Sequence, residues 1–401
     1  MNTEHRTGRV PGADHQMGAQ QSPAHGKRLR ARELGLPLPG KPGIYNAITD
    51  VPGVLVGFNT LSSQADPTLQ TGALPVQTGV TAILPVGFAS QPRPVWAGHY
   101  ALNGNGEMTG THWIADGGYF VGPILLTNTH AVGAVHQAAT QWIIDQYREQ
   151  WHKHHLWAMP VVAETYDGVL NDINGMHVRP EHARQAIDSA HGGPLPEGNV
   201  GGGAGMIAYE FKAGTGTASR QVTLAGQTFH VGTLVQANHG LRPWLTVCGV
   251  PVGQKFTEDR IPGMSREQGS VVCILATDIP LLPMQLQKLA RRAALGIGRG
   301  GTPGGNSSGD IFLAFSVANP MPIQQLAGPW GQLQFLNDCL LDEVYLAAIE
   351  AVEEAILNAL LMAQDIPTAR PAGAICRAID GHRLAEWVKA GRHLDSGPQE
   401  A

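Results

Sequence analysis

Charged and aromatic side chains are scarce in this sequence: Asp, Glu, Lys and Arg together make up 15% of the 401 residues, and Phe, Trp and Tyr make up 6%. The formal net charge is −5 and no basic stripe occurs, which argues against a nucleic-acid-binding surface because such surfaces need clustered Lys and Arg. No apolar run approaches the length that spans a bilayer, so no membrane partner is predicted. Hydrophobic residues nevertheless reach 43%, which is typical of a globular chain.

Motifs for metals and nucleotides are also poorly developed. The four cysteines lack the close spacing of a zinc or redox site. The neighbouring His152, His154 and His155 point in different directions around a helix, which favours a solvated surface cluster over a metal site. The glycine-rich segment 296–310 lacks the Gly-Lys-Ser/Thr ending of a phosphate-binding loop and precedes a predicted strand instead of a helix.

The N-terminal segment 1–28 is polar and has no apolar stretch of the kind found in a secretion signal. We predict a disordered tail over 1–28 and a single folded domain over 29–401, with a cytoplasmic location as the default expectation. A chain of this length can bury a large core as one big domain or as two ordinary ones.

Short apolar runs bounded by Gly, Pro or Asn predict β-strands, and several are apolar on both faces, as strands covered on two sides are. Longer patterns with apolar residues at helical spacing predict helices. The glycine-rich segment 191–218 is predicted to be a loop region. The whole pattern predicts an α/β fold with packed layers. The predicted strands are 54–58, 79–86, 122–126, 159–162, 230–237, 270–276 and 310–318, and the predicted helices are 129–151, 284–297 and 342–364.

Ser270 opens one of the apolar runs and follows Gly269. Taken alone, a serine at the start of a strand is usually a hydrogen-bonded turn residue. Composition and local pattern do not single it out.

Several longer blocks, in order along the chain, resemble the DmpA-like family of self-processing aminopeptidases, typified by L-aminopeptidase/D-esterase and the β-peptidyl aminopeptidases. The resemblance runs from residue 30 almost to the C-terminus. It is carried by RARELGLPLPGKPGIYNAITDVPGVLVGF (30–58), ALNGNGEMTG (101–110), VVAETYDGVLNDI (161–173), VQANHG (235–240), GSVVCILATDIPLLPMQLQKLARRAALG (269–296), SSGDIFLAFS (307–316) and EAVEEAILNAL (350–360).

The resemblance implies that the chain cuts itself between Gly269 and Ser270, into fragments 1–269 and 270–401. The chemistry is reasonable for these residues: a serine hydroxyl attacks the preceding carbonyl, the acyl group moves from nitrogen to oxygen, and water releases the ester. A glycine before the serine tolerates a strained backbone and leaves the carbonyl open. The cut exposes an α-amine on Ser270, whose ordinary pKa of about 7.7–8.0 allows it to accept a proton near pH 8.

The resemblance also assigns the remaining catalytic groups. Ser308 and Asp310 match a serine and an acid that relay or orient a proton, and they are predicted to share one side of a strand. The family usually has glutamate at this acid position, and Asp310 is one methylene shorter. Asn238 matches the donor to the tetrahedral oxyanion, and Tyr166 is implied as a second donor.

Glu164 matches the acid that receives the free ammonium group of the substrate, which favours unblocked amino termini. Asn105 and Asn171 are implied as further substrate-binding residues. The implied substrates are small peptides, amides or esters with a free amino terminus. No metal or organic cofactor is expected, because the nucleophile, the base and the oxyanion donors all come from the chain.

The implied fold is a four-layer α-β-β-α sandwich of the self-cleaved N-terminal-nucleophile type, and the implied assembly is a homo-oligomer, a tetramer or larger, of processed heterodimers. Two alternatives remain open at this point. One is an acyltransferase of the ornithine acetyltransferase kind, which shares the architecture and self-cleavage but uses a threonine nucleophile. The other is an unprocessed, non-catalytic binding protein with the same fold.

Overall fold

The computed structural model describes residues 27–154, 156–264, 266–267 and 269–395. The predicted tail over 1–28 lies outside these residues except for its last two positions, and His155 also lies outside them. The strands are β1 (Leu55–Ser62), β2 (Gln77–Leu84), β3 (Val95–Ala101), β4 (Tyr119–Phe120), β5 (Ile124–Asn128), β6 (Val161–Thr165), β7 (Ile207–Ala208), β8 (Phe211–Lys212), β9 (Thr215–Leu224), β10 (Gln227–Asn238), β11 (Ser270–Thr277), β12 (Gly309–Ser316), β13 (Ile366–Pro367) and β14 (Ile375–Cys376). The helices are α1 (Thr111–Gly117), α2 (Val132–Gln146), α3 (Arg148–Lys153), α4 (Pro180–Asp188), α5 (Pro283–Arg299), α6 (Leu341–Leu361) and α7 (Gly381–Asp395).

Two larger sheets form the centre of the fold. One has the strand order β1-β2-β5-β6, and the other has the order β4-β3-β12-β11-β10-β9. Strands β11 and β12 pair in parallel, and β10 pairs with β11 in the antiparallel sense. The two central strands of the six-stranded sheet are therefore the ones on which the sequence places Ser270 and Asp310.

Three apolar cores separate four layers. The first core lies between the sheets and includes Ile83 and Leu126 from one sheet and Ile274 from the other. The second lies between the four-stranded sheet and helices α2 and α4. The third lies between the six-stranded sheet and helices α5 and α6. This arrangement confirms the expected α-β-β-α sandwich.

The apolar run after Ser270 follows from its position between two of these cores. Alternate residues of a strand face opposite sides of a sheet. All eight residues of β11 are buried. Val272, Ile274 and Ala276 face the other sheet, whereas Val271, Cys273 and Leu275 lie under the helices.

The predicted strands all correspond to strands of the structure, with ends shifted by a few residues. The predicted helix over 129–151 is instead two helices, α2 and α3, which meet at Tyr147. The predicted loop over 191–218 is wrong in part, because its second half is buried and contains β7, β8 and the start of β9. Its glycines allow close packing: a Cβ on Gly202 would lie 2.6 Å from the Leu126 carbonyl oxygen.

Candidate active site

Ser270 lies at the first position of β11, between two strands that carry other predicted site residues. Its antiparallel partner on β10 is Asn238, and its parallel partner on β12 is Gly309. Ser308 and Asp310 flank Gly309 in the chain. The pairing therefore brings residues from three separate parts of the sequence together at the ends of three neighbouring strands. Ser270 is only 4% exposed.

Gly269 lies too close to the neighbouring strand to carry a side chain. A Cβ at this position would lie 1.9 Å from the carbonyl oxygen of Asn238. The carbonyl oxygen of Gly269 accepts a hydrogen bond from the Gly309 N–H, with an N···O distance of 3.4 Å. The requirement for glycine therefore comes from a close backbone approach at the bond before Ser270.

Ser308 and Asp310 form a buried pair. The Ser308 hydroxyl donates to Oδ1 of Asp310 over 2.6 Å, and the Asn103 side-chain amide donates to Oδ2 over 3.1 Å. Burial raises the pKa of the Asp310 carboxyl, while the hydrogen bonds from Ser308, Asn103 and the Val271 backbone oppose that rise. The pair is thus held in one geometry next to the backbone of β11.

The Asp310 carboxyl and the Ser270 side chain lie on opposite faces of the sheet. Asp310 shares its face with Phe312 of the helix-covered core, whereas Ser270 shares its face with Val272 of the inter-sheet core. Asp310 therefore lies against the backbone at the start of β11, where its carboxyl accepts a hydrogen bond from the Val271 backbone.

Asn238 is oriented by both ends of its side-chain amide. Oδ1 accepts the Ile207 N–H over 2.9 Å, and Nδ2 donates to the Tyr166 carbonyl oxygen over 2.9 Å. An amide nitrogen carries two hydrogens, so one N–H remains to donate to an oxyanion. The Tyr166 side chain is 43% exposed, and its hydroxyl lies against Gly168. The backbone of Tyr166 thus orients Asn238, while a direct oxyanion contact by its hydroxyl stays a prediction.

Glu164 and Ser270 line the same cleft. The cleft has a volume of about 470 Å³ and also includes Asn105, Glu107, Thr129 and Tyr166. Oε1 of Glu164 accepts the Glu107 N–H over 3.0 Å, and Oε2 accepts the Thr129 hydroxyl. Burial raises the pKa of Glu164, and these two hydrogen bonds oppose the rise. A buried carboxylate facing a cleft is well suited to bind an ammonium group.

The two remaining predicted substrate-binding residues are placed differently. Asn105 is exposed at the cleft, and its amide donates to the Ser307 carbonyl oxygen over 2.7 Å. Asn171 is buried and does not line the cleft. Its Oδ1 accepts the Gln77 N–H over 3.0 Å, and its Nδ2 donates to Asp167 over 3.1 Å. The geometry therefore gives Asn171 a part in holding the fold, while a contact with substrate stays a prediction.

Asp167, which the sequence reading did not single out, follows Tyr166 and is fully buried. Burial raises the pKa of its carboxyl to about 7, despite opposing hydrogen bonds from Thr78, Asn171 and Asn128. No simple motif marks it, because a single Asp after a Tyr is common. The hydrogen bond that its carboxyl accepts from Asn171, however, helps to hold the segment that carries Tyr166.

We expect the substitution Asp167→Asn to change how stability depends on pH. The folded-state pKa of about 7 lies above the usual 3.8, so the charged carboxylate destabilises the fold and wild type loses stability as pH rises between these values. The variant lacks this titration. Its free energy of unfolding relative to wild type should therefore rise with pH in this window, by up to about 1.4 kcal/mol per pH unit. Urea unfolding of both proteins at pH 5, 6, 7 and 8 measures this; a difference that does not change with pH contradicts it.

Thr129 contributes to the cleft through its side chain. It lies in a 3-10 turn, Thr129–Ala131, that precedes α2 and is capped by Asn128, whose Oδ1 accepts the N–H groups of His130 and Ala131 at 3.0 Å. The Thr129 hydroxyl contacts Glu164.

Among the described residues, no cluster of three or more His, Cys, Asp or Glu side chains is placed to hold a metal ion. In the same part of the chain, no helix has the length and apolar character needed to cross a membrane.

Known proteins match this chain over most of its length. The sequence profile of peptidase family S58 matches residues 46–372. A β-peptidyl aminopeptidase, BapA, of Sphingosinicella microcystinivorans is 49% identical over 350 residues, which cover 84% of this chain and 86% of that protein. BapA of Sphingosinicella xenopeptidilytica is 42% identical over 375 residues, which cover 90% of this chain and 91% of that protein.

Solved structures of similar proteins share the fold. The L-aminopeptidase D-Ala-esterase/amidase of Ochrobactrum anthropi, described as a variant of the Ntn hydrolase fold, superposes with a TM-score of 0.86 and 51% identity, covering 91% of this chain and 99% of its own. A β-aminopeptidase from a Burkholderia species superposes with a TM-score of 0.82 and 42% identity, covering 92% of this chain and 100% of its own.

Proposed function

This chain belongs to peptidase family S58 and is a serine-type aminopeptidase of the Ntn hydrolase fold, and we propose that it cuts itself at Gly269–Ser270 and uses Ser270 as its nucleophile. The chain then consists of fragments 1–269 and 270–401, and the single catalytic domain over 29–401 contains parts of both. The observation that carries the proposal is the position of Ser270, between Asn238 and Gly309 at the start of a buried central strand and at the cleft that holds Glu164.

Self-cleavage begins when the Ser270 Oγ attacks the Gly269 carbonyl carbon. The proton of the hydroxyl passes to the amide nitrogen as the C–N bond breaks, and this nitrogen becomes the α-amine of Ser270. The resulting ester between Gly269 and the Ser270 Oγ is hydrolysed by water, which leaves a carboxylate on Gly269 and restores the hydroxyl. The packing of Gly269 against the Asn238 backbone and the hydrogen bond from the Gly309 N–H to the Gly269 carbonyl oxygen support this step, because they fix the position of the carbonyl.

In the cut enzyme the α-amine of Ser270 is the general base. It takes the hydroxyl proton as Oγ attacks the substrate carbonyl, and it returns a proton to the leaving amine or alcohol. Asp310, held by Ser308 and Asn103, orients and electrostatically supports the amine. The free amide N–H of Asn238 donates to the oxyanion, and Tyr166 contributes to the same wall of the cleft. Water then hydrolyses the acyl-enzyme ester.

Glu164 selects the substrate. Its carboxylate binds the free ammonium group, and Asn105 lines the same cleft. The substrates are small peptides, amides or esters with an unblocked amino terminus. The names of the relatives, which cover β-peptides, D-Ala esters and amides, support this range. The acyltransferase alternative finds no support among these relatives.

Removal of the Asn238 amide should lower kcat. In Asn238→Asp the side chain keeps its size, but a carboxylate oxygen replaces the NH₂ group, so the oxyanion loses a hydrogen bond and meets a negative charge, and the bond to the Tyr166 carbonyl oxygen is lost as well. The expected loss in kcat is at least about 10²–10³-fold with little change in KM. Steady-state kinetics on an amino-acid p-nitroanilide measure this, with the amount of cut enzyme determined for each sample. A rise in KM at unchanged kcat would instead indicate a role in substrate binding.

The direct test of the proposal is the intact mass and N-terminal sequence of the purified wild-type protein. Two fragments, the smaller beginning Ser-Val-Val-Cys, support it. A single chain of 401 residues, or a cut at Ser307 or Ser308, overturns it.

The assembly and location are separate proposals. We propose a homo-oligomer, a tetramer of processed heterodimers, and exposed apolar side chains such as Trp330 and Phe335 support subunit contacts. Light scattering measures the assembly, and a mass of one processed chain would contradict it.

The four cysteines are unpaired, which fits the proposed cytoplasmic location. Cell fractionation tests that location.

A further inference from the structure

Glu267 lies two residues before the proposed cut and connects three segments. Oε1 of its half-buried carboxylate accepts the Gly240 N–H over 2.6 Å and lies 3.4 Å from the Thr302 hydroxyl. Oε2 accepts the Gly305 N–H over 3.0 Å. Within the described part of the chain, this carboxylate therefore holds the end of fragment 1–269 against two other loops.

The two loops that Glu267 contacts are those that carry the catalytic side chains. Gly240 follows Asn238 by two residues, and Gly305 precedes Ser308 by three. The Ser308 N–H donates to the Gly305 carbonyl oxygen over 2.9 Å. This hydrogen bond within the second loop links the position of Ser308 to that of Gly305. Glu267 thus connects the segment before the proposed cut to the loop that follows Asn238 and to the loop that precedes Ser308.

The packing around these loops is close at two glycines. A Cβ on Gly305 would lie 2.2 Å from the Glu267 carboxylate, and a Cβ on Gly269 would lie 1.9 Å from the Asn238 carbonyl oxygen. Glu267 is therefore held by its carboxylate and Gly269 by backbone packing. Attack by a neighbouring hydroxyl depends strongly on such placement of the reacting carbonyl.

We propose that Glu267 is a positioning residue for self-cleavage: its carboxylate fastens the segment before Gly269–Ser270 to the loops of Asn238 and Ser308, so that the Gly269 carbonyl faces the Ser270 hydroxyl in the uncut chain. This inference rests on the proposed cut at Gly269–Ser270. The Gly269 carbonyl is a reacting group only before the cut, so the chief effect of Glu267 falls on the cleavage step and a smaller one on peptide hydrolysis, through the loops of Asn238 and Ser308.

The test follows the conversion of newly made chains into fragments. Wild type, Glu267→Gln and Glu267→Ala are produced by cell-free translation with a labelling pulse, and the 401-residue band is followed over time. Glu267→Ala should cut at least roughly tenfold more slowly than wild type, since it loses charge-assisted hydrogen bonds. Glu267→Gln should be intermediate, because its amide oxygen still accepts one N–H while its NH₂ group opposes another. Glu149→Gln, at an exposed position of α3, is the matched control and should cut at the wild-type rate.

Two further measurements separate positioning from a general loss of stability. The Tm of each uncut variant, made in the Ser270→Ala background, should stay close to that of Ser270→Ala alone. The kcat/KM per cut molecule should fall by less than the cleavage rate does. Wild-type cleavage rates in both Glu267 variants overturn the inference. If Glu267→Ala does not fold, Glu267→Gln decides alone, with slowed cleavage supporting the inference and the wild-type rate overturning it. Absence of a cut in wild type would instead refute the proposed function.

Discussion

Substitution of Ser270 by alanine should leave one uncut chain of 401 residues with no measurable aminopeptidase activity. The variant loses the attacking hydroxyl for self-cleavage and for peptide hydrolysis at once, and the α-amine is never exposed. We expect a loss in kcat/KM of at least about 10³-fold, as for the loss of other catalytic serines. Intact mass spectrometry shows the uncut chain, and hydrolysis of an amino-acid p-nitroanilide measures the activity.

The matched control is Ser307→Ala. Ser307 lies near the site but is exposed, and its carbonyl, which accepts from Asn105, is retained in the variant. This variant should cut itself and hydrolyse substrate at close to wild-type rates. Ser270→Thr tests the need for the hydroxyl itself, because this variant keeps a hydroxyl and should retain some self-cleavage. A cut chain in Ser270→Ala would remove Ser270 from the nucleophile's role, and an uncut chain in Ser307→Ala would show that the loss of cutting is not specific to Ser270.

The layers of the fold were predictable in segments where the order of apolar and polar residues follows from which faces of the element are buried. Strand β11 is apolar at every position after Ser270 because one face meets the second sheet and the other meets helices. Helix α7 was missed although its signals are present: Asp380 accepts the Arg383 N–H at the helix start, and Leu384 and Val388 are buried one turn apart. The buried part of 191–218 was hidden for another reason, since its glycines indicate loops in a sequence and close packing in the fold.

The site was predictable only through resemblance, for a physical reason. Ser270, Asn238 and Glu164 lie far apart in the chain, and only strand pairing and the facing of the two sheets bring them together. Residues whose contacts arise only in the folded chain gave no signal at all. Glu267 accepts hydrogen bonds from the N–H groups of two glycines, and the Thr129 hydroxyl contacts Glu164. Such contacts depend on tertiary placement, which local sequence does not encode.

The substitution Glu164→Gln should separate the two reactions proposed for this enzyme, self-cleavage and substrate hydrolysis. The glutamine keeps the size of the side chain and an acceptor for the Glu107 N–H, but it has no charge for the substrate's ammonium group. We expect kcat/KM for an amino-acid amide to fall by about 10²–10³-fold, the cost of leaving one partner of a buried charge pair alone. Self-cleavage should continue, because the Gly269–Ser270 bond presents no free ammonium group. Steady-state kinetics and intact mass on the same sample give both results.

The pH dependence offers a second, independent sign of the same role. Burial raises the pKa of Glu164, so its carboxyl takes up a proton at a higher pH than an ordinary glutamate as the solution is acidified. As the pH is lowered, wild-type kcat/KM should therefore fall more steeply than protonation of the α-amine alone would cause. The pH profile of Glu164→Gln should show the titration of the α-amine only. Glu107→Gln is the control, since Glu107 is exposed at the same cleft and holds Glu164 through its backbone N–H. A large loss in Glu107→Gln with a small one in Glu164→Gln would assign the ammonium group to Glu107 instead.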